Sequence, residues 1–353
     1  MQRLAKTLFG ETQTAEDFLA ALAKGQSKES ALIILQNKPE INAFPKYKPE
    51  AWQPDFVVRL MDGFGFRPSQ HPLYASGAIY SLDFSSVFAA SLMLEIEAPP
   101  KRILDLCSAP GGKAIFAARA FDPDLLTCNE VIRKRTGSLI DNLTRCKIAC
   151  SEVGSADPSV WAKKCANQYD FVIVDAPCSG QSLIAKGDEA LGCFSPQMID
   201  LNVGRQRRIT GNAIHCVRPG GHMLYMTCTY TPKENEKVID WLLKEYPDLR
   251  VVESKRLVRF RSHLAEFPCY RMFPQDGAGA GAFAALLRRG DVDEEIEPSD
   301  DRPVAWRYGD PPRSPRPEPK AAVAPTPFPD ATAKRRSKRP VPRRSASPKR
   351  RGR

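Results

Sequence analysis

The stretch YDFVIVDAPCSG, residues 169–180, contains a continuous apolar run, FVIV, which leads directly into Asp175 and Cys178. A strand that is buried on both faces has this pattern, because helices cover both sides of a parallel sheet. The stretch therefore predicts a central strand of an α/β fold, with a carboxylate and a thiol at its end.

Three further strand-like runs occur in the same part of the chain, and helical segments separate them. They are RILDL (102–106), LLTCNE (125–130) and GHMLYMTC (221–228). Strands that alternate with helices predict right-handed crossovers and a parallel sheet. The expected fold class is therefore α/β, with a doubly wound, mostly parallel, Rossmann-like sheet. A late strand in GAFAALLRR (281–289) is expected to join its edge.

The segment that follows Cys228 predicts the start of a helix. In TPKE, Thr231 is the expected N-cap, Pro232 the first helical residue, and Glu234 the side chain that completes a capping box. This boundary places Cys228 at the end of a strand, where the chain becomes exposed.

Composition divides the chain into three regions. Residues 1–95 are expected to form a mainly helical accessory region, with helices in AEDFLAALAKG and KESALIILQNK and a longer apolar helix after HPLYASG. The alternating segment, residues 96–292, is the expected main domain. Residues 293–353 are expected to be a disordered tail that is rich in proline and arginine.

The net charge of +11 is concentrated in that tail. Residues 311–353 carry a net charge of +12, whereas the first 310 residues carry a net charge of −1. A flexible basic segment suits salt-sensitive contact with phosphates that does not depend on sequence. A tail that serves only solubility is the alternative.

Several classes of protein are not expected. No run of 18 apolar residues is present, so no transmembrane helix is expected, and the first residues make a poor secretory signal. The ten cysteines are scattered, without a CxxC pair or a zinc-site spacing, which indicates reduced thiols, no metal and a cytoplasmic location. Without a coiled coil or a repeat, a monomer is expected.

A glycine-containing loop follows the first strand of the alternating segment. Its residues are Cys107, Ser108, Ala109, Pro110, Gly111, Gly112 and Lys113. Paired glycines let the backbone approach a ligand closely, and a helix start offers free N–H groups. The loop matches neither GxGxxG nor the P-loop pattern. A tight turn between strand and helix is an equal alternative for this stretch alone.

Acidic residues follow the next strands. Glu130 ends the second strand, 17 residues beyond Lys113, where a carboxylate can accept hydrogen bonds from ribose hydroxyls. Asp157 follows a third strand-like run and is a candidate for an adenine pocket, with a helix cap as the alternative. Together with the loop, these residues indicate an adenosine-containing cofactor. Because the dinucleotide pattern is missing, S-adenosylmethionine is favoured over NAD.

Two cysteines follow neighbouring strand ends. Cys178 lies in DAPCSG beside Asp175, and Cys228 lies in TCTY. Taken singly, either cysteine is more simply structural, but a pair of thiols beside a carboxylate favours covalent chemistry. A redox disulfide is a weaker alternative, because no CxxC is present. The spacing alone does not decide which cysteine is the nucleophile.

These motifs resemble those of the RNA (cytosine-5-)methyltransferase family of the Nol/Nop/Sun type. LDLCSAPGGK, DAPCSG and the TC of MTCTYTPKEN occur in the family's order, and Gln206, VRPGG and RMFPQDGAGAGAF resemble further landmarks. The resemblance covers roughly residues 71–289. The chain departs from the family at Glu130, where aspartate is usual, at Leu82-Asp83, where glutamine precedes the aspartate, and at AGAGAF, which lacks an acidic residue.

The resemblance implies a role for each candidate residue. Cys228 is the implied nucleophile toward carbon 6 of cytosine, Cys178 the implied aid to product release, and Asp175 the partner of the base. The implied S-adenosylmethionine site consists of residues 107–113 together with Glu130, Asp157 and Asp175. Residues 96–292 are then the methyltransferase domain, and residues 1–95 an RNA-binding or accessory region.

The expected substrate is RNA, with ribosomal RNA as the first choice and transfer RNA as the second. A catalytically silent RNA-binding factor in ribosome assembly is the alternative of a different class. Three basic segments are candidates for RNA contact, namely VIRKR (131–135), GRQRR (204–208) and SKRLVRFR (254–261), of which GRQRR ranks first. A solvated protein surface is the alternative for each.

Overall fold

A nine-stranded mixed sheet forms the centre of the computed structural model. The structure describes residues 1–27, 29–36, 41, 44–61, 67–291 and 301–310. Residues 1–310 form one compact unit. Residues 293–300 and 311–353, most of the expected tail, lie outside the described residues.

The N-terminal part combines helices with a small antiparallel sheet. Its elements in chain order are α1 (Gln2–Phe9), α2 (Gln13–Lys24), β1 (Ser30–Ile34), β2 (Val57–Arg59), α3 (Pro72–Ala75), β3 (Ile79–Asp83) and α4 (Phe84–Ser91). Strand β1 lies in the middle, between β2 and β3.

The expected helical character of this region is confirmed, with α2 in AEDFLAALAKG, but a small sheet replaces one of the expected helices. The segment KESALIILQNK was predicted to be helical, but Ser30–Ile34 is a strand whose Leu32 pairs with Ser81. Branched Ile33 and Ile34 favour an extended backbone, and pairing with a distant strand outweighs the helical spacing of the apolar residues. The apolar helix expected after HPLYASG is preceded by β3 and is short.

The central sheet contains five parallel strands with helices on both faces. In chain order this part contains β4 (Arg102–Asp105), α5 (Gly112–Phe121), β5 (Leu125–Asn129), α6 (Arg133–Arg145), β6 (Ser151–Gly154), α7 (Pro158–Lys164), β7 (Tyr169–Asp175), α8 (Ser182–Ala185), α9 (Pro196–Cys216) and β8 (Val217–Thr227). The parallel strands lie in the order β6-β5-β4-β7-β8. The predicted doubly wound α/β fold is confirmed.

Antiparallel strands extend the sheet on both sides. After α10 (Glu236–Glu245), the chain forms β9 (Leu249–Val251), β10 (Tyr270–Met272), β11 (Ala282–Arg289) and β12 (Val304–Arg307). Strand β11 was expected at an edge, but it is interior, since β8 pairs with one side and β9 and β10 with the other. Strand β12 pairs with β6, so residues 301–310 belong to the fold and not to the tail.

The predicted helix start after Cys228 is also wrong. Helix α10 begins at Glu236, and its N-cap is Asn235 instead of Thr231. The side chain of Glu234 does not turn back to Thr231, because it accepts a hydrogen bond from the backbone N–H of Ser179. A contact across 55 residues therefore replaces the local capping box.

One hydrophobic core joins the N-terminal part to the central sheet. Trp52, Tyr80 and Phe88 belong to the same buried cluster as Ile103 and Leu224. Within the described residues, no helix is long and apolar enough to cross a membrane. The N-terminal region therefore packs directly against the elements that carry the candidate site.

Candidate active site

The candidate residues meet beyond the carboxyl ends of the parallel strands in the central sheet. Strands β4 and β7 are neighbours, and the chain winds in opposite directions from them, to β5 and β6 on one side and to β8 on the other. In such sheets the crevice at this reversal, beyond the carboxyl ends of the strands, is the usual ligand site. The carboxyl ends here lead into the loop of residues 107–113, Asp175 and Cys228.

The two candidate cysteines are in direct contact. The Sγ atoms of Cys178 and Cys228 lie 3.3 Å apart and form a hydrogen bond. Asp175 pairs with Met226 in the parallel register of β7 and β8, so the loops that follow these strands leave the sheet side by side. Cys228 is exposed and Cys178 is partly exposed, which leaves the pair accessible from the crevice.

The hydrogen bond gives the two thiols different acidities. It lowers the pKa of Cys228, although partial loss of solvent around the exposed thiol and the charge of Asp175 raise it, and Lys113 and Lys186 lower the pKa further. The same hydrogen bond, together with burial, raises the pKa of Cys178 well above its usual range. Either thiol can donate when both are protonated. Because Lys113 and Lys186 favour a thiolate at Cys228, Cys228 is the thiol expected to ionise first, with Cys178 as the donor to it.

Asp175 forms an ion pair with a lysine of the glycine-containing loop. Lys113 Nζ lies 2.7 Å from Asp175 Oδ2 and also donates to the hydroxyl of Ser86, at 3.2 Å. Burial alone would lower the pKa of Lys113, but the ion pair with Asp175 raises it, so Lys113 stays charged. Lys113 was expected to bind the cofactor, and the structure adds its contact with Asp175.

A second ion pair reaches the site from the N-terminal part. Lys186 Nζ lies 2.9 Å from Asp83 Oδ2, and both side chains are about four-fifths buried. Asp83 also caps α4 by accepting a hydrogen bond from the N–H of Ser86. Sequence reasoning assigned no role to Lys186 or Ser86. Their contacts in the crevice become visible only in the fold.

Backbone and side-chain hydrogen bonds tie the two cysteine loops together. The N–H of Ser182 donates to the carbonyl of Cys228, at 3.1 Å, and the hydroxyls of Ser179 and Thr229 lie 2.7 Å apart. Gln181, which is fully buried, accepts from the N–H of Tyr230. These bonds hold the thiol pair in a fixed geometry.

The glycine-containing loop forms the floor of the crevice. Gly111 has φ 111°, a conformation that L side chains rarely adopt, and α5 begins at Gly112. A Cβ atom on Gly112 would lie 2.7 Å from Leu82 Cδ1, so this glycine also allows β3 to pack closely. The paired glycines therefore allow the N-terminal sheet to pack closely against this loop, and they also leave the loop backbone accessible to a ligand.

Two buried oxygens beside this loop have no hydrogen-bond partner among the described residues. They are Asp105 Oδ2 and Ser108 Oγ. Burial raises the pKa of Asp105 to about 7, and the charge of Asp175 adds to the effect. The nearby Ser108 hydroxyl and the backbone N–H of Cys107 lower the pKa of Asp105, but by less than burial raises it.

Glu130 lies at the end of β5, as expected from the sequence, and is 3% exposed. Its Oε1 accepts from the N–H of Ile132 at 2.9 Å, and its Oε2 lies 3.0 Å from Arg135 Nη1. Val131 and Ile132 expose apolar side chains immediately after it. The strand end thus combines a fixed carboxylate with an apolar surface.

Asp157 has structural partners of its own. It caps α7 by accepting from the N–H of Ser159, and Arg208 Nη1 donates to both of its carboxylate oxygens, at 2.8 and 2.9 Å. Burial is the largest single effect and raises its pKa, but the hydrogen bonds from Ser159 and Arg208 together lower it below its usual value. The alternative of a helix cap is therefore correct, and a contact with the cofactor stays a prediction.

The segment GRQRR does not present a uniform basic surface. Gln206 is fully buried, Arg207 lies over the ring of Trp241 and Arg208 pairs with Asp157. Arg205 is exposed. In the described part of the chain, no group of three His, Cys, Asp or Glu side chains could hold a metal ion.

Comparisons with solved structures agree on the fold. A methyltransferase homologue protein from Pyrococcus horikoshii superposes with a TM-score of 0.67 at 21% identity, covering 81% of this chain and 93% of that chain. The NSun6 protein from Pyrococcus horikoshii, solved with SFG, superposes with a TM-score of 0.68 at 15% identity, covering 82% of this chain and 98% of that chain.

Sequence comparisons identify the family. Ribosomal RNA small subunit methyltransferase F from Pectobacterium carotovorum is 28% identical over 286 residues, 78% of this chain and 59% of the relative. The protein of the same name from Escherichia coli O127:H6 is 32% identical over 292 residues, 79% of this chain and 60% of the relative. The chain thus spans about three-fifths of the length of these relatives. The family model for 16S rRNA methyltransferase RsmB/F matches residues 92–288, which is more than half of the chain, and the chain belongs to this family.

Proposed function

We propose that this protein transfers a methyl group from S-adenosylmethionine to carbon 5 of a cytosine in RNA, through a covalent bond between Cys228 and carbon 6. The observation that carries the proposal is the contact of Cys178 and Cys228, 3.3 Å apart, beside the ion pair of Asp175 and Lys113. A silent binding protein would not need a nucleophile of lowered pKa at the mouth of the crevice.

The residues around the crevice fit the proposed cofactor. Glu130 suits the ribose hydroxyls, and the exposed apolar surface of Val131 and Ile132 suits the adenine ring. When bound, the cofactor supplies an electrophilic methyl group.

Cys228 is the proposed nucleophile. Its thiol ionises more readily than a free cysteine, because the Cys178 thiol donates a hydrogen bond to it and Lys113 and Lys186 add positive charge. Carbon 5 of cytosine is a poor nucleophile until the thiolate adds to carbon 6. The bond between sulfur and carbon 6 gives carbon 5 the electron density that it needs to accept the methyl group.

Asp175 is the proposed partner of the base. About a third of its side chain is exposed, although one oxygen is paired with Lys113. It is therefore available to hydrogen-bond nitrogen 3 or the amino group of cytosine and to stabilise the charge that develops there. Lys113 fixes its orientation.

Cys178 is the proposed aid to product release. Water takes the carbon-5 proton, and Cys228 leaves as a thiolate with the electron pair of its bond to carbon 6, which restores the aromatic ring. A thiol of raised pKa stays protonated and donates a hydrogen bond to the departing thiolate. Removal of Cys178 is therefore expected to prolong the life of the covalent adduct.

The proposed substrate is ribosomal RNA of the small subunit, since the relatives named above carry that substrate in their names. The target base must leave its stack to reach the thiols, and unpaired RNA makes this step less costly. Transfer RNA is the second choice.

Covalent trapping tests the proposal. The full chain is incubated with S-adenosylmethionine and small-subunit ribosomal RNA that contains 5-azacytidine, and protein–RNA adducts are resolved on a denaturing gel. We expect an adduct with the wild type and with Cys178→Ala, and none with Cys228→Ala. Cys150→Ala is the matched control. This cysteine precedes the amino end of β6, whereas the candidate site lies beyond the carboxyl ends of the strands.

Each outcome is informative. An adduct that requires Cys178 instead of Cys228 would reverse the two roles but keep the chemistry. The absence of an adduct with ribosomal RNA, small ribosomal subunits and transfer RNA would reject the proposed reaction in favour of a silent RNA-binding protein.

A further inference from the structure

A fully buried carboxyl lies behind the two cysteine loops. Glu234 follows Cys228 by six residues and is 0% exposed. Its Oε2 accepts two hydrogen bonds, from the N–H of Ser179 and from Gln206 Nε2, each at 2.9 Å. One carboxyl oxygen thus connects the loop of one cysteine to helix α9.

The orientation of the Gln206 amide follows from its contacts. Its Nε2 donates both to Glu234 Oε2 and to the carbonyl of Pro177, at 3.0 Å. A rotated amide would place an oxygen against these two acceptors, so this orientation is fixed. The remaining oxygen of Gln206 is therefore an acceptor.

Two buried acceptors are left without a donor. Gln206 Oε1 and Glu234 Oε1 are both buried, and neither has a hydrogen-bond partner among the described residues. An unpartnered buried oxygen is destabilising, and more so when it belongs to a charged group. A single proton shared between these two oxygens would remove both destabilising effects.

We propose that Glu234 is a neutral carboxylic acid that donates from Oε1 to Gln206 Oε1, and that this acid–amide pair positions Cys178. A planar carboxyl and a planar amide joined in this way form two parallel hydrogen bonds. The pair then holds the carbonyl of Pro177 and the N–H of Ser179, which are the peptide groups on either side of Cys178.

The surroundings favour the neutral form. Burial raises the pKa of Glu234, and the groups that oppose this effect, Ser179 and Gln206, are uncharged donors. Cys178 and Tyr225 face Glu234 from the neighbouring loop and from β8, and both stay protonated because their own pKa values are raised.

Two further carboxylates complete the charged surroundings. Asp175 and Glu236 both act on Tyr225, the residue beside Glu234. Each has a cation of its own, since Lys113 pairs with Asp175 and Arg271 with Glu236. No cation is therefore left for Glu234 among these neighbours, and the proton is its simplest partner.

Glu234→Gln tests the charge of this carboxyl. In the variant, the side-chain oxygen accepts from Ser179 and Gln206, while the new NH₂ donates to Gln206 Oε1, so the variant copies the neutral acid at every pH. The free energy of unfolding of the full chain is measured for both proteins by urea denaturation from pH 5 to 8.

The expected result follows from the raised pKa. The unfolded wild type loses the Glu234 proton above about pH 4.5, while the folded wild type keeps it. The unfolding equilibrium of the wild type therefore rises by up to about tenfold per pH unit relative to Glu234→Gln, until the folded carboxyl ionises. A variant that is less stable than the wild type by a constant amount across this range would overturn the proposal.

A second measurement tests positioning, and it rests on the proposed function. With small-subunit ribosomal RNA that contains ordinary cytosine, Glu234→Ala is expected to accumulate the covalent adduct as Cys178→Ala does, whereas Glu234→Gln is expected to turn over normally. If Glu234→Ala releases product at the wild-type rate, the positioning role is rejected. If no protein, the wild type included, methylates this RNA or forms an adduct with it, the proposed function fails, whereas the urea measurement still decides the charge of Glu234.

Discussion

Phe18 of α2 packs edge-on against Tyr230, with ring centroids 5.1 Å apart and an interplanar angle of 87°. Tyr230 follows Cys228 by only two residues. The buried cluster around these rings also contains Leu22 of α2 and Ala185 of α8. The N-terminal helices therefore provide hydrophobic support for both cysteine loops, a role that the sequence did not indicate.

Phe18→Ala is expected to lower the free energy of unfolding by about 3–5 kcal/mol, because it leaves a cavity under Tyr230. It should also slow alkylation of Cys228 by iodoacetamide in the folded protein, since a loosened loop weakens the hydrogen bond with Cys178. Urea denaturation and mass spectrometry measure the two effects.

The matched control is Leu143→Ala in α6, which is also fully buried but lies against a different part of the sheet. We expect a stability loss of about 2–5 kcal/mol with no change in the alkylation rate of Cys228. Equal slowing in both variants would mean that the rate reports general loosening and not local support.

The strand ends were predictable because their signals are local. FVIV in β7 is apolar on both faces, and the parallel order brought Asp175, Cys178 and Cys228 to one edge, as expected. The predictions that were wrong all concern segments whose partners are distant in sequence. Glu234 was assigned to a capping box, yet it binds Ser179, and β1 was assigned to a helix, yet it pairs with β3.

Long-range pairing also explains the residues that were missed. Lys186 and Asp83 are separated by about a hundred residues, and neither stands in a motif that indicates an ion pair. For Asp157 the sequence left a cofactor contact and a helix cap open; the structure shows the cap, with Arg208 bound to the carboxylate, and the cofactor contact stays a prediction. Sequence reasoning predicted which candidate residues meet at the crevice, whereas the contacts that support them required the fold.

Gly187, next to Lys186, is expected to tolerate no side chain. It has φ +75°, and a Cβ atom there would lie 2.6 Å from the carbonyl oxygen of Gly25. Gly187→Ala should therefore lower the free energy of unfolding by about 2–4 kcal/mol, as the sum of backbone strain and a steric clash. Thermal or urea denaturation measures the loss.

Gly192 provides a close control for this variant. It has φ +74°, but a Cβ atom there meets nothing within 4 Å. Gly192→Ala should show only the backbone cost of about 1–2 kcal/mol. If the two variants lose equal stability, the close approach of Gly25 to Gly187 does not add to the destabilisation of Gly187→Ala.

Asp105 is expected to make stability depend on pH. Its folded pKa, about 7, lies above the ordinary value of 3.8, so its stabilising effect is complete below about pH 4 and is lost as the pH rises toward 7. Asp105→Asn does not ionise and should gain about 1.4 kcal/mol per pH unit relative to the wild type between pH 4 and 7. Urea denaturation across this range measures the difference. If the difference in the free energy of unfolding between the two proteins does not change with pH, Asp105 is already ionised in the folded protein.

The hydrogen bond between the thiols is expected to control the reactivity of Cys228. Cys178→Ala removes the donor that lowers the pKa of Cys228, so the fraction of thiolate at pH 7 falls. Loss of about 1 kcal/mol should slow alkylation by iodoacetamide roughly fivefold at pH 7, and the rates should converge at high pH, where both proteins carry the thiolate.

Two variants separate this effect from a general change in packing. Cys178→Ser keeps a donor beside Cys228 and should restore most of the rate at pH 7, whereas Cys150→Ala should have no effect. Mass spectrometry of Cys228 over a range of pH gives the rates without RNA or cofactor, so the measurement does not depend on the methyl-transfer reaction. If Cys178→Ala alkylates as fast as the wild type at pH 7, the lysines alone activate the thiol, and Lys113 and Lys186 become the residues to replace.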